Sequence, residues 1–317
     1  MKKILVTRRL LKSNEERISK LWDVNLNSND EIYPQEKLIK LSNDCDGILC
    51  SIEDKLDKTI INKLSNKIKI ISNFAVGYGN IDIKAAQNKN IVVTNTPDVL
   101  TDATAEIAML LILGAARRVI EGIKYARNKN WRWSADFLLG KQLYGSRLGI
   151  LGMGRIGRAV ASRAKAFGMK IHYHNRTKLK NDLEDGAIYH KDIKSLFSVS
   201  DILSINCPAT KETKDIINKK TLEFFPKEAI ITNSARGDMI DDDAMIEALK
   251  SKRIYALGLD VYKGEPNIHS GYLELHNVFV LPHLGSSTKK TRTDMADLAI
   301  SNIEEFFNTG KCKNIVN

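Results

Sequence analysis

Three polar residues that could act together on a small anionic compound follow apolar stretches near the end of the chain. They are Arg236, Glu265 and His283, and each comes after one of the last three predicted strands of the chain. In sheets of parallel strands, ligand chemistry collects beyond the carboxyl ends of the strands. A guanidinium binds carboxylates and polarises carbonyl oxygens, and an imidazole can donate or accept a proton near neutral pH. These residue types therefore predict anion binding and proton transfer at one sheet edge.

A glycine-rich turn predicts the site of a phosphate-bearing ligand. It contains Gly152, Gly154, Arg155, Ile156 and Gly157. The turn follows the predicted strand 148–151 and opens the predicted helix 155–167, which is the context that a G-x-G-x-x-G motif requires. The glycines permit a tight turn, close approach of backbone to a pyrophosphate and close helix–strand packing, and the helix N-terminus supplies N–H donors. We therefore expect a dinucleotide to bind here.

The end of the next predicted strand, Lys170–His174, indicates which dinucleotide is bound. Proteins that bind NAD usually have Asp or Glu there to bind the ribose hydroxyls. This chain has Asn175, Arg176 and Thr177 instead. These side chains offer hydrogen-bond donors, and arginine can pair with a 2′-phosphate. The sequence thus favours NADP(H) over NAD(H), although Arg176 could also be a solvated loop residue.

Short apolar strands alternate with helical segments along most of the chain. The predicted strands are Ile4–Thr7, Gly47–Cys50, Ile68–Ser72 and Ile91–Asn95 in a first series, then Leu148–Leu151, Lys170–His174, Ile202–Asn206, Ala229–Asn233, Tyr255–Leu259 and Val278–Leu281 in a second. Such alternation is typical of parallel sheets covered by helices. A long helical stretch, Ala103–Lys129, separates the two series, and a last helix, Lys289–Asn308, could return to the first. We expect an α/β fold of two doubly wound, Rossmann-like domains with a cleft between them.

Composition excludes several classes of function. The 317 residues carry a formal charge of +11, but the lysines are scattered and no basic run is interleaved with aromatics, so no nucleic-acid partner is expected. The apolar stretches Ile4–Val6 and Ile107–Ala116 are too short for a secretion signal or a membrane span, which predicts a cytoplasmic protein with no membrane partner. The four cysteines show no metal-ligand spacing, so no metal site is expected.

Several longer segments carry a resemblance to a known family. They are Asn73–Asp82, Asn95–Glu106, Trp131–Ser134 and Gly258–Tyr262, together with the segments around the glycine turn, Arg236 and His283. With these segments the whole chain resembles the D-isomer-specific 2-hydroxyacid dehydrogenases, and within them the glyoxylate/hydroxypyruvate reductases. The resemblance implies a substrate-binding domain of residues 1–98 plus 287–317 and a dinucleotide-binding domain of residues 99–286.

The resemblance also implies roles for individual residues. Arg236 would bind the substrate carboxylate and polarise the keto group, His283 would be the general acid in reduction, and Glu265 would orient His283. Further substrate contacts would come from Ser51, Ile52, Val76, Gly77 and Leu100. Further cofactor contacts would come from Thr104, Cys207, Pro208, Ser234, Ala235, Asp260 and Gly285.

The expected activity is the hydride-transfer reduction of small 2-keto acids, glyoxylate to glycolate and hydroxypyruvate to D-glycerate. A 2-ketogluconate reductase or another D-2-hydroxyacid dehydrogenase is an alternative within the same class. A dinucleotide-sensing scaffold of the corepressor type, which shares the fold and the Arg, Glu and His set, is an alternative from a different class. The resemblance further implies a homodimer, in which an aromatic residue at about Phe137 would reach the partner's site.

Overall fold

A computed structural model describes residues 1–129 and 131–317 as alternating strands and helices. The strands are β1 (Lys3–Val6), β2 (Asp23–Asn25), β3 (Gly47–Cys50), β4 (Ile70–Asn73), β5 (Val92–Thr94), β6 (Arg147–Leu151), β7 (Lys170–His174), β8 (Ile188–Tyr189), β9 (Ile202–Ile205), β10 (Ala229–Asn233), β11 (Ile254–Leu259) and β12 (Val278–Val280). The helices are α1 (Lys12–Leu21), α2 (Gln35–Ser42), α3 (Lys58–Lys63), α4 (Ile83–Asn88), α5 (Thr101–Ala116), α6 (Val119–Arg127), α7 (Arg155–Ala166), α8 (Asn181–Glu184), α9 (Ile193–Val199), α10 (Lys219–Leu222), α11 (Asp242–Lys250), α12 (Ser270–Leu273) and α13 (Lys289–Thr309). The chain divides into two compact units, Met1–Leu100 with Ser286–Asn317, and Thr101–Gly285.

The first unit is built on a five-stranded sheet in the order β2-β1-β3-β4-β5. All its strand pairs are parallel. The central strands β3 and β4 are buried along their whole length, because helices cover both faces and leave no solvated side. One hydrophobic cluster packs α2, α3 and α4 against the sheet, and a second packs α1 and α13 against its other face. The C-terminal helix is therefore an integral part of this unit.

The second unit is built on a seven-stranded sheet in the order β12-β11-β10-β9-β6-β7-β8, again parallel throughout. The chain order reverses direction at β6, which lies between β7 and β9. In open α/β sheets such a switch point leaves a crevice at the carboxyl ends of the strands, where ligands bind. The glycine turn follows β6, and Cys207 follows soon after β9, so both lie at this crevice.

Helix α5 packs directly on the second sheet. Gly114 faces the ring of Phe279 on β12 so closely that a Cβ at this position would lie 2.6 Å from two ring carbons. Ala105, Ala108 and Leu111 of the same helix are also buried. Gly114 and the two alanines let the backbone of α5 approach the strands closely, and Leu111 adds buried apolar surface to the same contact.

The predicted α/β class with two parallel sheets is confirmed, and differences are confined to particular elements. The predicted bounds of β3, β7 and β10 agree with the structure, whereas the strands β2 and β8 and the helices α4, α8, α9, α10, α11 and α12 were not predicted. The single helix predicted over Ala103–Lys129 is wrong. Arg118 adopts a left-handed conformation (φ 54°) and separates α5 from α6, and its guanidinium pairs with Glu121 in the first turn of α6.

Among the described residues, no helix has the length and apolar character needed to span a membrane.

Candidate active site

The polar residues predicted from the late strands lie along one edge of the second sheet. Arg236 follows β10, Asp260 follows β11, and His283 follows β12. Since β10, β11 and β12 are neighbours in the sheet, their carboxyl ends lie side by side. The segments that carry these side chains are tied together by the backbone, because Asp260 donates its N–H to Asn233 O at 3.0 Å and His283 donates its N–H to Asp260 O at 2.9 Å.

His283 and Glu265 form the closest polar pair at this edge. The imidazole Nδ1 lies 2.6 Å from Glu265 Oε2, and each side chain is about one-third exposed. The other carboxylate oxygen, Oε1, accepts the N–H of Tyr262 at 3.0 Å. Burial raises the pKa of Glu265, but its hydrogen bond and attraction to His283 outweigh burial and leave that pKa below its usual value. The contact keeps the imidazole ring in one orientation, as a group that transfers a proton requires.

Asp260 holds the His283 segment in place. It is fully buried, and its two oxygens accept the N–H groups of Leu284 and Gly285 at 2.7 and 2.9 Å. Burial raises the pKa of Asp260 despite these hydrogen bonds. The Gly285 carbonyl in turn accepts the hydroxyl of Thr104 at 3.0 Å. Both of these predicted cofactor residues thus restrain the turn after His283, whose own φ of 53° is uncommon for a non-glycine residue.

Arg236 presents a desolvated guanidinium at the same edge. Asn233, the last residue of β10, accepts the N–H of Ala235 at 2.9 Å and donates to the carbonyl of Arg236 at 2.7 Å, which fixes the bend between them. Burial lowers the pKa of Arg236, and the nearby charge of Glu265 only partly offsets this effect. No described carboxylate forms an ion pair with the guanidinium, which leaves it able to bind an incoming anion.

The glycine turn has the shape of a phosphate cradle. Gly152 has φ of 94°, and a Cβ there would lie 2.6 Å from the Cβ of Cys207; at Gly157 a Cβ would lie 2.3 Å from the carbonyl oxygen of Gly152. At Gly154, by contrast, a Cβ would meet no protein atom within 4 Å. The first and third glycines are therefore required by the fold, and the second lies beside open space at the start of α7. This arrangement fits a dinucleotide pyrophosphate.

Asn175 links the glycine turn to the end of β7. Its Oδ1 accepts the N–H of Met153 at 2.7 Å, which turns the amide NH2 group away from the turn. Arg176 and Thr177 are exposed beside it. Burial raises the pKa of the Cys207 thiol to about 11. The positive charge of Arg176 opposes this increase, so Arg176 lies near Cys207. Asn175, Arg176 and Thr177, which we expect to contact the ribose of the cofactor, thus lie at the crevice beside the glycine turn.

The remaining predicted positions of the second unit lie close in sequence to these residues. Ser234 and Ala235 are half-buried in the bend before Arg236, and Pro208 follows Cys207. Cys207 contacts the thioether of Met239 at 3.7 Å. Within residues 1–129 and 131–317, no group of three or more His, Cys, Asp or Glu side chains is arranged to hold a metal ion.

In the first unit, the predicted carboxylate loop is held by two asparagines. Asn95 donates to the carbonyl of Val76 and Asn73 to the carbonyl of Gly77, both at 2.8 Å. Among the described residues, no acceptor pairs with the N–H groups of Val76 and Gly77. A loop with restrained carbonyls and free N–H groups is suited to bind an anion.

The other predicted substrate residues of the first unit have different surroundings. Ser51 is buried, and its N–H donates to the carboxylate of Asp54 at 2.7 Å. Ile52 is half-buried, and Leu100 is buried at the end of this part of the chain.

Several supporting residues escaped sequence-based reasoning. Asn233, Asn73 and Asn95 each fix a bend next to a predicted site residue, but an isolated asparagine at a strand end is ordinary turn chemistry. Their position directly after or at the end of a buried strand is the one feature that could have indicated them.

Comparison with known proteins agrees with this geometry. Residues 109–285 match the family model described as "D-isomer specific 2-hydroxyacid dehydrogenase, NAD binding domain". Over 99% of its length the chain is 38% identical to the glyoxylate reductase of Thermococcus litoralis, of which the match covers 96%. It is 39% identical to the glycerate dehydrogenase of Hyphomicrobium methylovorum, with 96% of both chains covered.

A solved structure extends the agreement to the whole fold. The NADPH-dependent glyoxylate/hydroxypyruvate reductase of Sinorhizobium meliloti, in complex with NADP and malonate, superposes with a TM-score of 0.90 at 32% identity. The superposition covers 99% of this chain and 96% of that one. The family model matches more than half of the chain, and relatives above 30% identity match nearly all of it. Both findings agree with the two parallel sheets and the glycine turn. The chain belongs to the D-isomer-specific 2-hydroxyacid dehydrogenase family.

Proposed function

We propose that this enzyme reduces glyoxylate and hydroxypyruvate, using a reduced nicotinamide cofactor, to glycolate and D-glycerate. The observation that carries the proposal is the 2.6 Å contact between His283 and Glu265 on the sheet edge that also bears the desolvated Arg236. A keto acid needs a cation for its oxygens and a proton donor for the alkoxide that forms on reduction. Relatives named glyoxylate reductase and glycerate dehydrogenase support the choice of substrate.

Arg236 binds the substrate and polarises it. A planar guanidinium can donate to a carboxylate oxygen and to the keto oxygen of the same small molecule. Because the group is desolvated and has no described carboxylate partner, its attraction to developing negative charge is weakly screened. The charge on the keto oxygen grows as the carbonyl is reduced, so this interaction strengthens in the transition state.

His283 supplies the proton, and Glu265 positions it. The Nδ1–H of His283 donates to Glu265, which leaves Nε2 to carry the proton that the keto oxygen receives. In oxidation of the hydroxy acid the same nitrogen takes the proton back. The hydrogen bond to Glu265 keeps the imidazole ring of His283 in one orientation while it acts as an acid.

The cofactor is held by the crevice at β6. Backbone N–H groups at the start of α7 and the open space beside Gly154 would receive the pyrophosphate, and Cys207, Pro208, Ser234 and Ala235 would contact other parts of the cofactor. Asp260, Thr104 and Gly285 support the nicotinamide end by restraining the turn after His283. When bound, the reduced nicotinamide supplies the hydride.

We propose NADP(H) as the preferred cofactor. Asn175 directs amide hydrogens rather than a carboxylate away from the glycine turn, and Arg176 and Thr177 add further donors. A 2′-phosphate would be attracted to this set, whereas an acidic residue at Asn175 would repel it. The Sinorhizobium meliloti relative was solved with NADP bound, which supports the same choice.

The substrate carboxylate binds to the N–H groups of Val76 and Gly77, which are turned outward by the asparagine restraints on their carbonyls. Ser51, Ile52 and Leu100 limit the size of the group attached to the keto carbon.

A panel of kcat/KM values tests the proposal. Glyoxylate, hydroxypyruvate, pyruvate and 2-ketogluconate are each assayed with NADPH and NADH by the fall in absorbance of the reduced cofactor. Glyoxylate and hydroxypyruvate with NADPH should give the highest values. A higher value for 2-ketogluconate would identify the alternative reductase, and no turnover with any acid would favour the dinucleotide-sensing scaffold.

We further propose a homodimer that forms through the face of α6 and the segment after it. This face exposes an unusual number of large apolar side chains, namely Ile120, Ile123, Tyr125, Trp131, Trp133 and Leu139. A cavity of about 450 Å³, lined partly by Ile120 and Leu139, lies on the same side at the amino ends of β11 and β12. Sedimentation equilibrium should give twice the mass of the chain, and a monomer at micromolar concentration would contradict the proposal.

A cytoplasmic location stays a prediction from the sequence.

A further inference from the structure

Burial lowers the pKa of two described arginines, Arg236 and Arg292. Arg292 lies in the first turns of α13, in the first unit, and is half-buried. Its guanidinium carbon lies 5.8 Å from the ring centroid of Phe74. Within the part of the chain that the structure describes, no carboxylate, carbonyl or hydroxyl accepts a hydrogen bond from this guanidinium. Removing a cation from water without pairing it with an anion raises the free energy of the folded protein. We therefore expect a ligand to provide the anion that pairs with Arg292.

Arg17, which lies on α1, shows how a structural arginine contacts the same helix α13. It reaches α13 from α1 and donates to Asp297 at 2.9 Å, to Ser301 at 2.9 Å and to Glu304 at 3.4 Å. Its charge is thus compensated within the unit. Arg292 has only the face of Phe74, which is a weaker partner than a carboxylate.

Phe74 also connects Arg292 to the carboxylate loop. It begins the short segment that continues through Val76 and Gly77, whose free N–H groups were described above. The N–H of Phe74 donates to Cys50 O at 2.7 Å, so the segment is anchored to the sheet at this end and by Asn73 and Asn95 at the other. One rigid segment therefore carries anion-binding N–H groups and packs a guanidinium against its first side chain.

We propose that Arg292 is a second substrate-binding cation, which pairs with the carboxylate that the N–H groups of Val76 and Gly77 receive. The inference rests on the proposed function, because it assigns a specificity role toward the same 2-keto acids. Arg292 would favour acids over neutral carbonyl compounds such as aldehydes and ketones, since only an ionised carboxylate compensates its charge.

The test compares Arg292→Met and Arg292→Lys with the wild-type enzyme, and uses Arg17→Met as the matched control. Steady-state kcat and KM are measured with glyoxylate, and oxalate serves as a non-reducible carboxylate probe whose inhibition constant is measured in parallel. NADPH affinity is followed by fluorescence, and Tm by thermal unfolding. Arg292→Met should raise the KM for glyoxylate and the inhibition constant for oxalate together by about 10- to 100-fold, the effect of losing one charge-assisted hydrogen bond.

The other readouts separate substrate binding from a structural role. The kcat and the NADPH affinity of Arg292→Met should stay within about threefold of wild type, and Arg292→Lys should recover part of the KM. Arg17→Met should lower Tm and leave KM unchanged. Wild-type KM and oxalate inhibition in Arg292→Met would overturn the inference, and so would a joint loss of kcat, NADPH affinity and Tm. If the wild-type enzyme reduces no 2-keto acid, the proposed function fails instead, and equal oxalate affinity of wild type and Arg292→Met by calorimetry would then overturn the inference separately.

Discussion

The substitution Asn175→Asp should reverse the proposed preference for NADP(H) over NAD(H). In the structure Asn175 Oδ1 accepts the N–H of Met153 at 2.7 Å, and a carboxylate of the same shape can accept the same bond. The change therefore keeps the link to the glycine turn and replaces only the amide NH2 group, which becomes an anionic oxygen. That oxygen can accept hydrogen bonds from ribose hydroxyls but repels a phosphate at the same position.

The size of the effect follows from the distance between the charges. Two unit charges about 5 Å apart repel each other by about 3 kcal/mol at an effective dielectric constant of about 20. Arg176 is exposed and would screen part of this repulsion. We expect kcat/KM for NADPH to fall by about 10- to 100-fold, whereas the value for NADH should be unchanged or rise, since NADH carries no 2′-phosphate.

The assay measures kcat/KM for both cofactors at saturating glyoxylate. Asn218→Asp is the matched control, because Asn218 also accepts backbone N–H groups, from Lys220 and Thr221 at the start of α10, and an aspartate caps a helix equally well. The control adds the same charge to the same unit and should leave the cofactor ratio unchanged. Equal losses with NADPH and NADH in Asn175→Asp would refute the reasoning about the ribose site.

Three further predictions address the catalytic pair and the glycine turn. His283→Ala should lower kcat for glyoxylate by about 10²- to 10⁴-fold in steady-state assays, and a near-normal kcat would exclude His283 as the acid. Gly157→Ala should lower Tm and NADPH affinity because its Cβ would lie 2.3 Å from Gly152 O, whereas Gly154→Ala should lower NADPH affinity alone; an equal loss of Tm in both would contradict this distinction. The pKa of Glu265 is lower in the folded protein, so its stabilising effect is present above the ordinary value of 4.5 and is lost as the pH falls through the lowered pKa. Glu265→Gln should therefore flatten the decrease of Tm below about pH 4.5, and an unchanged pH profile of Tm would argue against the ion pair.

Local patterns were sufficient for most of the buried elements. Largely apolar runs such as Gly47–Cys50 and Ala229–Asn233 predicted strands with the observed bounds, because a strand covered on both faces is mostly apolar. The short strands β2 and β8 were missed because they lie at the sheet edges, where none of their residues is buried, and because two or three residues are too few to form a recognisable pattern. The break at Arg118 was missed because an arginine in a left-handed conformation gives no compositional sign.

The sequence alone was sufficient to select candidate site residues in two ways. Polar residues that follow predicted strands were one indication, and glycines at the spacing of a tight turn were the other. They predicted Arg236, Glu265 and His283 as site residues and the glycine turn as the place for the cofactor, because these features depend on neighbours in the chain. The sequence did not give the support for them, such as the grip of Asp260 on the His283 turn or the link from Asn175 to Met153. Those contacts depend on strand order in the sheet, which places residues distant in sequence within hydrogen-bonding distance. The surroundings of Arg292 likewise could not be predicted from the sequence. Only the tertiary structure shows that its guanidinium packs against Phe74 and forms no described ion pair.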